Sequence, residues 1–165
     1  THRNMARFFL DSTKEYFNQS RDISGKMDAA LEALIDEAMS GYCSGNIPTD
    51  EVLLNGIGFH IASEELADQE FIAINTFLHA QFSDLVDFLN NKKHPSGLSA
   101  LHWVEIHCDV EKDHRDYAIK ALEIALENYS GDLTNAAVQQ KFEDGYQRFC
   151  LLQEKMINYC TAGIY

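Results

Sequence analysis

Three features of the chain predict an all-α fold. Apolar residues recur at steps of three and four along most of its length. Only two prolines, Pro48 and Pro95, interrupt it. No stretch alternates apolar and polar residues as a half-buried strand does.

The elements follow in order. Met5, Phe8, Phe9, Tyr16 and Phe17 form a helical stripe over residues 3–18. The polar run QSRDISG, residues 19–25, reads as a loop. Ala30, Leu31, Leu34, Ile35 and Ala38 place a second helix over about 26–39, which GYCSGNIP at 41–48 ends. Thr49 or Asp50 can cap a third helix, because a side-chain oxygen there satisfies free amide donors of the first turn. Its pattern persists to about residue 90. An unbroken rod of that length would measure roughly 60 Å, so a bend or break is expected near 67–70. The loop NKKHPSG at 91–97 precedes a helix over about 99–129. SGDLT at 130–134 then turns the chain into a last helix over about 135–160. Six or so helices imply a bundle in a single domain spanning 1–165, a length that suits one core.

Composition narrows the function. Thirteen Lys and Arg stand against 26 Asp and Glu, for a net charge of −13. Such a chain repels phosphate backbones, and no basic stripe offsets that, so nucleic acid is not an expected partner. No apolar run approaches the ~18–20 residues that cross a bilayer, and no signal peptide is read, so the expected location is cytoplasmic. Cys43, Cys108, Cys150 and Cys160 are far apart and none pair as C-x-x-C. That spacing excludes a zinc ribbon or thioredoxin motif and predicts buried free thiols.

The chemistry sits in LHWVEIHCDVEKDHRDYAIKAL, residues 101–122. At about 100° per residue, Glu111 lies about 40° to one side of His107 and His114 about 20° to the other. All three therefore project from one helical face. His102, Glu105, Asp109 and Asp113 point elsewhere. Two imidazoles and a carboxylate converging from one face form a chelate suited to iron, manganese or zinc. The spacing H-x3-E-x2-H differs from the H-E-x-x-H of zinc proteases.

A second feature is GIGFHIASEELADQEF, residues 56–71. Glu65 shares a face with Gly58, Ile61, Ala62 and Ile72. A carboxylate there is expected to be buried, and so to be paired or bound to a cation, because burying it alone is costly. Glu64 follows His60 by one turn and can pair with it at the surface. His79 lies too far along an unbroken helix, about 21 Å from Glu65, to share a metal with it. The remaining histidines, His2, His60, His94 and His102, read as ordinary core or surface residues.

Together these two segments resemble the heme-oxygenase-like diiron oxidases and oxygenases, and within them the chlamydial death-domain-associating protein and its bacterial relatives. The likeness rests on His107-Cys-Asp-Val-Glu111-Lys-Asp-His114 with its amphipathic continuation, and on SEELADQEF, where Glu65 matches a glutamate ligand and Glu64 is its neighbour. It covers roughly residues 47–129. It implies a heme-oxygenase-like bundle without heme. Glu65, His107, Glu111 and His114 would hold non-heme iron, as two ions in the complete site. The implied activity is dioxygen-dependent oxidation of a small molecule, or of the chain's own side chain in cofactor biosynthesis, and a homodimer is expected.

The pattern is incomplete here. The family's remaining ligands, a glutamate and a histidine about two turns later on an upstream helix, have no counterpart in residues 1–42. His2 follows no glutamate, and Glu15, Glu32 and Glu37 have no matching histidine. Either a segment around 18–26 is absent from this sequence or the site is half built. Two other readings stand beside the oxidase. One is a metal-poor relative that acts through protein contacts. The other is a thiaminase-like hydrolase of the same fold, with Cys108 as the nucleophile.

Overall fold

The computed structural model describes residues 2–18, 28–42 and 49–162. The described residues form six helices: α1 His2–Asn18, α2 Ala29–Gly41, α3 Asp50–Gln81, α4 Ser83–Asn91, α5 His102–Glu127 and α6 Asn135–Thr161. Among them there is no strand, only an isolated antiparallel bridge between Lys93 and Ser99. The all-α class predicted from the chain is what is observed. The segment around 18–26, where a stretch was expected to be absent from the sequence, lies largely outside the described residues. Cys43 lies outside them as well.

The helices form two compact units, each drawn from two separate stretches: residues 1–25 with 67–112, and 26–66 with 113–165.

In the first unit α1 packs against α4. The core consists of Leu85, Val86 and Leu89 of α4 with Ala100, Leu101 and Val104 around the start of α5. Phe8, Phe9 and Tyr16 of α1 cover it, together with Phe71 and Leu78 from the later part of α3. Phe82 separates α3 from α4 with φ −136° and ψ 48°. The break therefore falls at Phe82, not at the expected 67–70. Ala67, Asp68, Gln69 and Glu70 are all compatible with a helix. Leaving helical dihedrals at Phe82 instead lets Leu85, Val86 and Leu89 turn inward together. In the loop that follows, His94 Nδ1 lies 2.9 Å from Ser96 Oγ. Gly97 adopts φ +88°, a left-handed conformation that glycine enters without steric cost.

In the second unit α2 packs against α6. Asp28 caps α2 by accepting from the amides of Ala30 and Leu31 at 3.0 and 2.9 Å. Tyr159 of α6 donates to its other oxygen at 3.1 Å. Lys155 pairs with Glu37 at 2.9 Å further along the same two helices. Thr49 caps α3 through the Val52 amide, and Thr134 caps α6 through that of Ala137, both at 3.3 Å. The earlier part of α3 approaches α6 closely at two glycines. A Cβ on Gly58 would lie 2.1 Å from the Phe142 carbonyl oxygen, and one on Gly145 would lie 1.9 Å from that of Asn55. The obstacle in both cases is backbone, which cannot rotate aside. Phe59, fully buried, fills the space beside this contact, edge-on to Phe149 at 5.0 Å and to Tyr42 at 5.1 Å.

Two consequences are measurable. Gly58→Ala and Gly145→Ala each gain up to ~1 kcal/mol of helix propensity. Each nevertheless lowers stability, by about 1–3 kcal/mol through overpacking. Urea denaturation of the single variants reads this as a lower midpoint at unchanged slope. An unchanged or higher midpoint would contradict the close approach.

The second concerns acid. The α2 amides, with help from Tyr159, hold the Asp28 carboxyl below its ordinary value of 3.8. A group depressed in the folded state stabilises above its unfolded pKa and loses that contribution as pH falls through the folded value. Asp28→Asn keeps a capping oxygen but cannot titrate. Its stability should therefore fall less steeply than that of the parent below about pH 4.

Candidate metal centre

In the first unit, α5 carries two of the candidate ligands against the later part of α3. His107 and Glu111 stand one turn apart on α5 and are 3% and 4% exposed. Trp103, one turn before His107, supplies a backbone carbonyl that accepts from His107 Nδ1. A carbonyl can only accept, so Nδ1 carries the proton and Nε2 presents its lone pair. That nitrogen lies 3.6 Å from Glu111 Oε1. The imidazole stacks on Phe71 at 4.4 Å and meets the Trp103 ring at 4.0 Å. The ring is therefore fixed in tautomer, tilt and depth.

The second unit holds Glu64, His60 and His114. Glu64 of α3 lies between two imidazoles. Its Oε1 is 3.4 Å from His60 Nδ1 and its Oε2 is 3.6 Å from His114 Nδ1. The Glu64 side chain is 18% exposed and that of His114 43%. These three residues line a cavity of about 690 Å³. Leu53, Ile57, Ile61, Ala118 and Ala121 make most of its wall, and Tyr42 and Tyr117 also line it.

Glu65, the ligand expected from sequence, is exposed, where burial was expected. It accepts a 2.9 Å hydrogen bond from the hydroxyl of Tyr146 on α6. That bond, with partial burial, pushes the Tyr146 phenol up to about 12. Of the expected face, Gly58, Ile61 and Ala62 are buried. The stripe reaches the margin of α6 at Glu65, however, and Ile72 beyond it is 44% exposed. Glu64, one residue earlier, belongs to the turn that carries His60. The pairing of His60 with Glu64 expected from their spacing is present, and His114 on the other side of the carboxylate adds to it.

Among the described residues, the side chains that could hold a metal ion are Glu64, Glu111 and His114, two carboxylates and an imidazole. Imidazole nitrogen and carboxylate oxygen suit iron, manganese and zinc. Ligand atoms placed about 2.0–2.2 Å from one ion lie roughly 3 Å or more apart. The 3.6 Å separations of His107 from Glu111 and of Glu64 from His114 approach that spacing. Both exceed the range of a well-formed hydrogen bond. The backbone bond that orients His107 is the kind of support metal-bound histidines receive. The donor set therefore fits a first-row transition metal. Tyr146, which donates to Glu65, and Trp103, through its backbone carbonyl, are parts of this region that the sequence did not single out.

The described cysteines are free thiols, as expected, but none is fully buried. Cys108 and Cys150 are half-buried and Cys160 is exposed, and all three are free thiols. Cys108 donates to the carbonyls of Phe71 and Val104 at 3.4 Å.

Comparison with known protein families, curated proteins and solved structures returns no match. No described helix is long and apolar enough to cross a membrane.

Burial, and then the negative charge of Asp109, push the Cys108 thiol up from its ordinary value. It should therefore be a poor thiolate source. At pH 8, iodoacetamide is expected to alkylate Cys160 well before Cys108, as read by peptide mass analysis. Equal rates, or a faster Cys108, would reopen a nucleophilic role for it.

Proposed function

We propose that this chain is a dioxygen-activating oxidase or oxygenase that uses non-heme iron, two ions in the complete site, within a heme-oxygenase-like bundle. Glu64, His107, Glu111 and His114 would hold the metal. The observation that carries the reading is the pair of 3.6 Å donor contacts made by successive turns of α5, His107 with Glu111 and His114 with Glu64. The choice of iron rests on the sequence resemblance, because the donor set alone suits manganese and zinc equally.

Bound there, non-heme iron would supply the electrons and open coordination positions that dioxygen activation requires. The chain's own residues have separate tasks. The Trp103 carbonyl holds His107 with Nε2 available. Phe71 and the Trp103 ring exclude water from one side of that imidazole. His60 restrains the second oxygen of Glu64. The cavity beside Glu64 and His114 would admit a small-molecule substrate. A hydrolase using Cys108 fits less well, because a thiol pushed up by burial is poorly ionised at neutral pH.

Anaerobic reconstitution with ferrous iron, followed by elemental analysis, tests this reading. The parent chain is expected to retain about one to two iron ions. His107→Ala and Glu64→Gln should each lose half or more of that iron, whereas Glu65→Gln should retain it. The loaded parent should also consume dioxygen at an electrode. Retention of less than about one iron per chain, unchanged in His107→Ala, would end the metal reading.

A further inference from the structure

Two metal ions ask for more donors than Glu64, His107, Glu111 and His114 supply, because each takes about four to six ligands. The second unit holds one more imidazole beside them. His60 stands one turn before Glu64 on α3, and its Nδ1 lies 3.4 Å from Glu64 Oε1. His114 Nδ1 lies 3.6 Å from the other oxygen, Oε2. The two oxygens of one carboxylate therefore face two imidazoles, one from α3 itself and one from α5. Among the described residues, His60 is not in the group able to share one ion with Glu64 and His114. It addresses the opposite oxygen instead.

A histidine and a glutamate at i and i+4 are also an ordinary surface pair. Three observations favour a ligand. Both separations from Glu64 are longer than a well-formed hydrogen bond. The His60 ring meets Tyr42 edge-on at 6.0 Å, which limits its rotation. His60 lines the same cavity as Glu64 and His114, and its side chain is half exposed, so water or a substrate can complete a coordination sphere there.

From this we infer that His60 is a metal ligand, holding a second ion through Nδ1 on the Oε1 side of Glu64. Glu64 then bridges that ion to the one beside His114. Ions in two-metal sites stand roughly 3.5–4 Å apart. The inference rests on the metal reading and adds to it the place of the second ion. With one imidazole and one shared carboxylate, the ion at His60 is held more weakly than its neighbour.

The test uses the full chain and manganese(II), with the free ion counted by its room-temperature electron paramagnetic resonance signal. The parent should bind about two ions, the second about tenfold or more weaker than the first. Frozen and fully loaded, it should show the narrowed hyperfine spacing of a coupled pair. His60→Ala should keep the tighter ion and lose both the weaker one and the coupled spectrum. His60→Asp places a carboxylate oxygen close to where Nδ1 stood, so it should recover the second ion. A merely structural role for His60 would not be recovered in this way.

Two ions and a coupled spectrum in His60→Ala would overturn the inference and leave the metal reading intact. So would a parent that binds a single ion, unaffected by His60→Ala. Failure of His60→Asp to recover the second ion would also overturn it, because the loss would not then be that of a donor. A parent that binds no manganese, unchanged in Glu64→Gln, would remove the metal reading and this inference together.

Discussion

The close approach of α3 and α6 decides how the functional face of the second unit is turned. Two backbones can come this near only where neither carries a Cβ, and Gly58 and Gly145 meet that condition from opposite helices. With Gly58 against α6, the positions one and two turns further on the same stripe follow it. Ala62 is buried, and Glu65 emerges at the edge beside Tyr146. The neighbouring stripe of Ile57, His60, Ile61 and Glu64 then falls on the cavity. A single backbone contact thereby assigns adjacent glutamates to different surroundings. Glu64 meets two imidazoles and Glu65 a phenol.

The first unit obeys a different constraint. Its core is aliphatic and aromatic, yet His107 and Glu111 are as deeply buried as many of its apolar residues. Polar groups at that depth need partners, because the cost of desolvation is otherwise unmet. His107 has one in the carbonyl of Trp103, while its Nε2 faces Glu111 at 3.6 Å, beyond a well-formed hydrogen bond. A buried pair of this kind contributes little to stability compared with apolar side chains of the same volume. Its presence at the margin of a hydrophobic core is more readily understood as a site held ready for a ligand than as a packing solution. The rings of Phe71 and Trp103 strengthen that view, since they restrict the imidazole to one orientation.

Much of the architecture was legible in the chain. The helices could be placed from apolar periodicity, from the cap at Thr49 or Asp50, and from the turns at NKKHPSG and SGDLT. The break in the long third stretch was misplaced because nothing local marks Phe82. Phenylalanine is an acceptable helix residue, and only the demand to bury Leu85, Val86 and Leu89 under α1 makes the chain turn there. The two-unit arrangement was equally hidden. α3 and α5 each carry an unbroken helical pattern across the point where their packing partners change, so no composition shift signals it.

The sequence by itself determined the helical class and the one-sided stripe of His107, Glu111 and His114, because both follow from the fixed 100° step of an α-helix and need no neighbours. It also placed Glu64 one turn after His60. Only the tertiary structure decided which of Glu64 and Glu65 faces the imidazole of His114. Adjacent residues on a helix differ by about 100°, and the rotation of α3 is set by a glycine contact with a helix some 90 residues away in sequence. The depth of His107, the tautomer imposed by Trp103 and the aliphatic wall beside Glu64 were likewise tertiary outcomes. Each depends on which surfaces are brought together, and a linear pattern does not encode that.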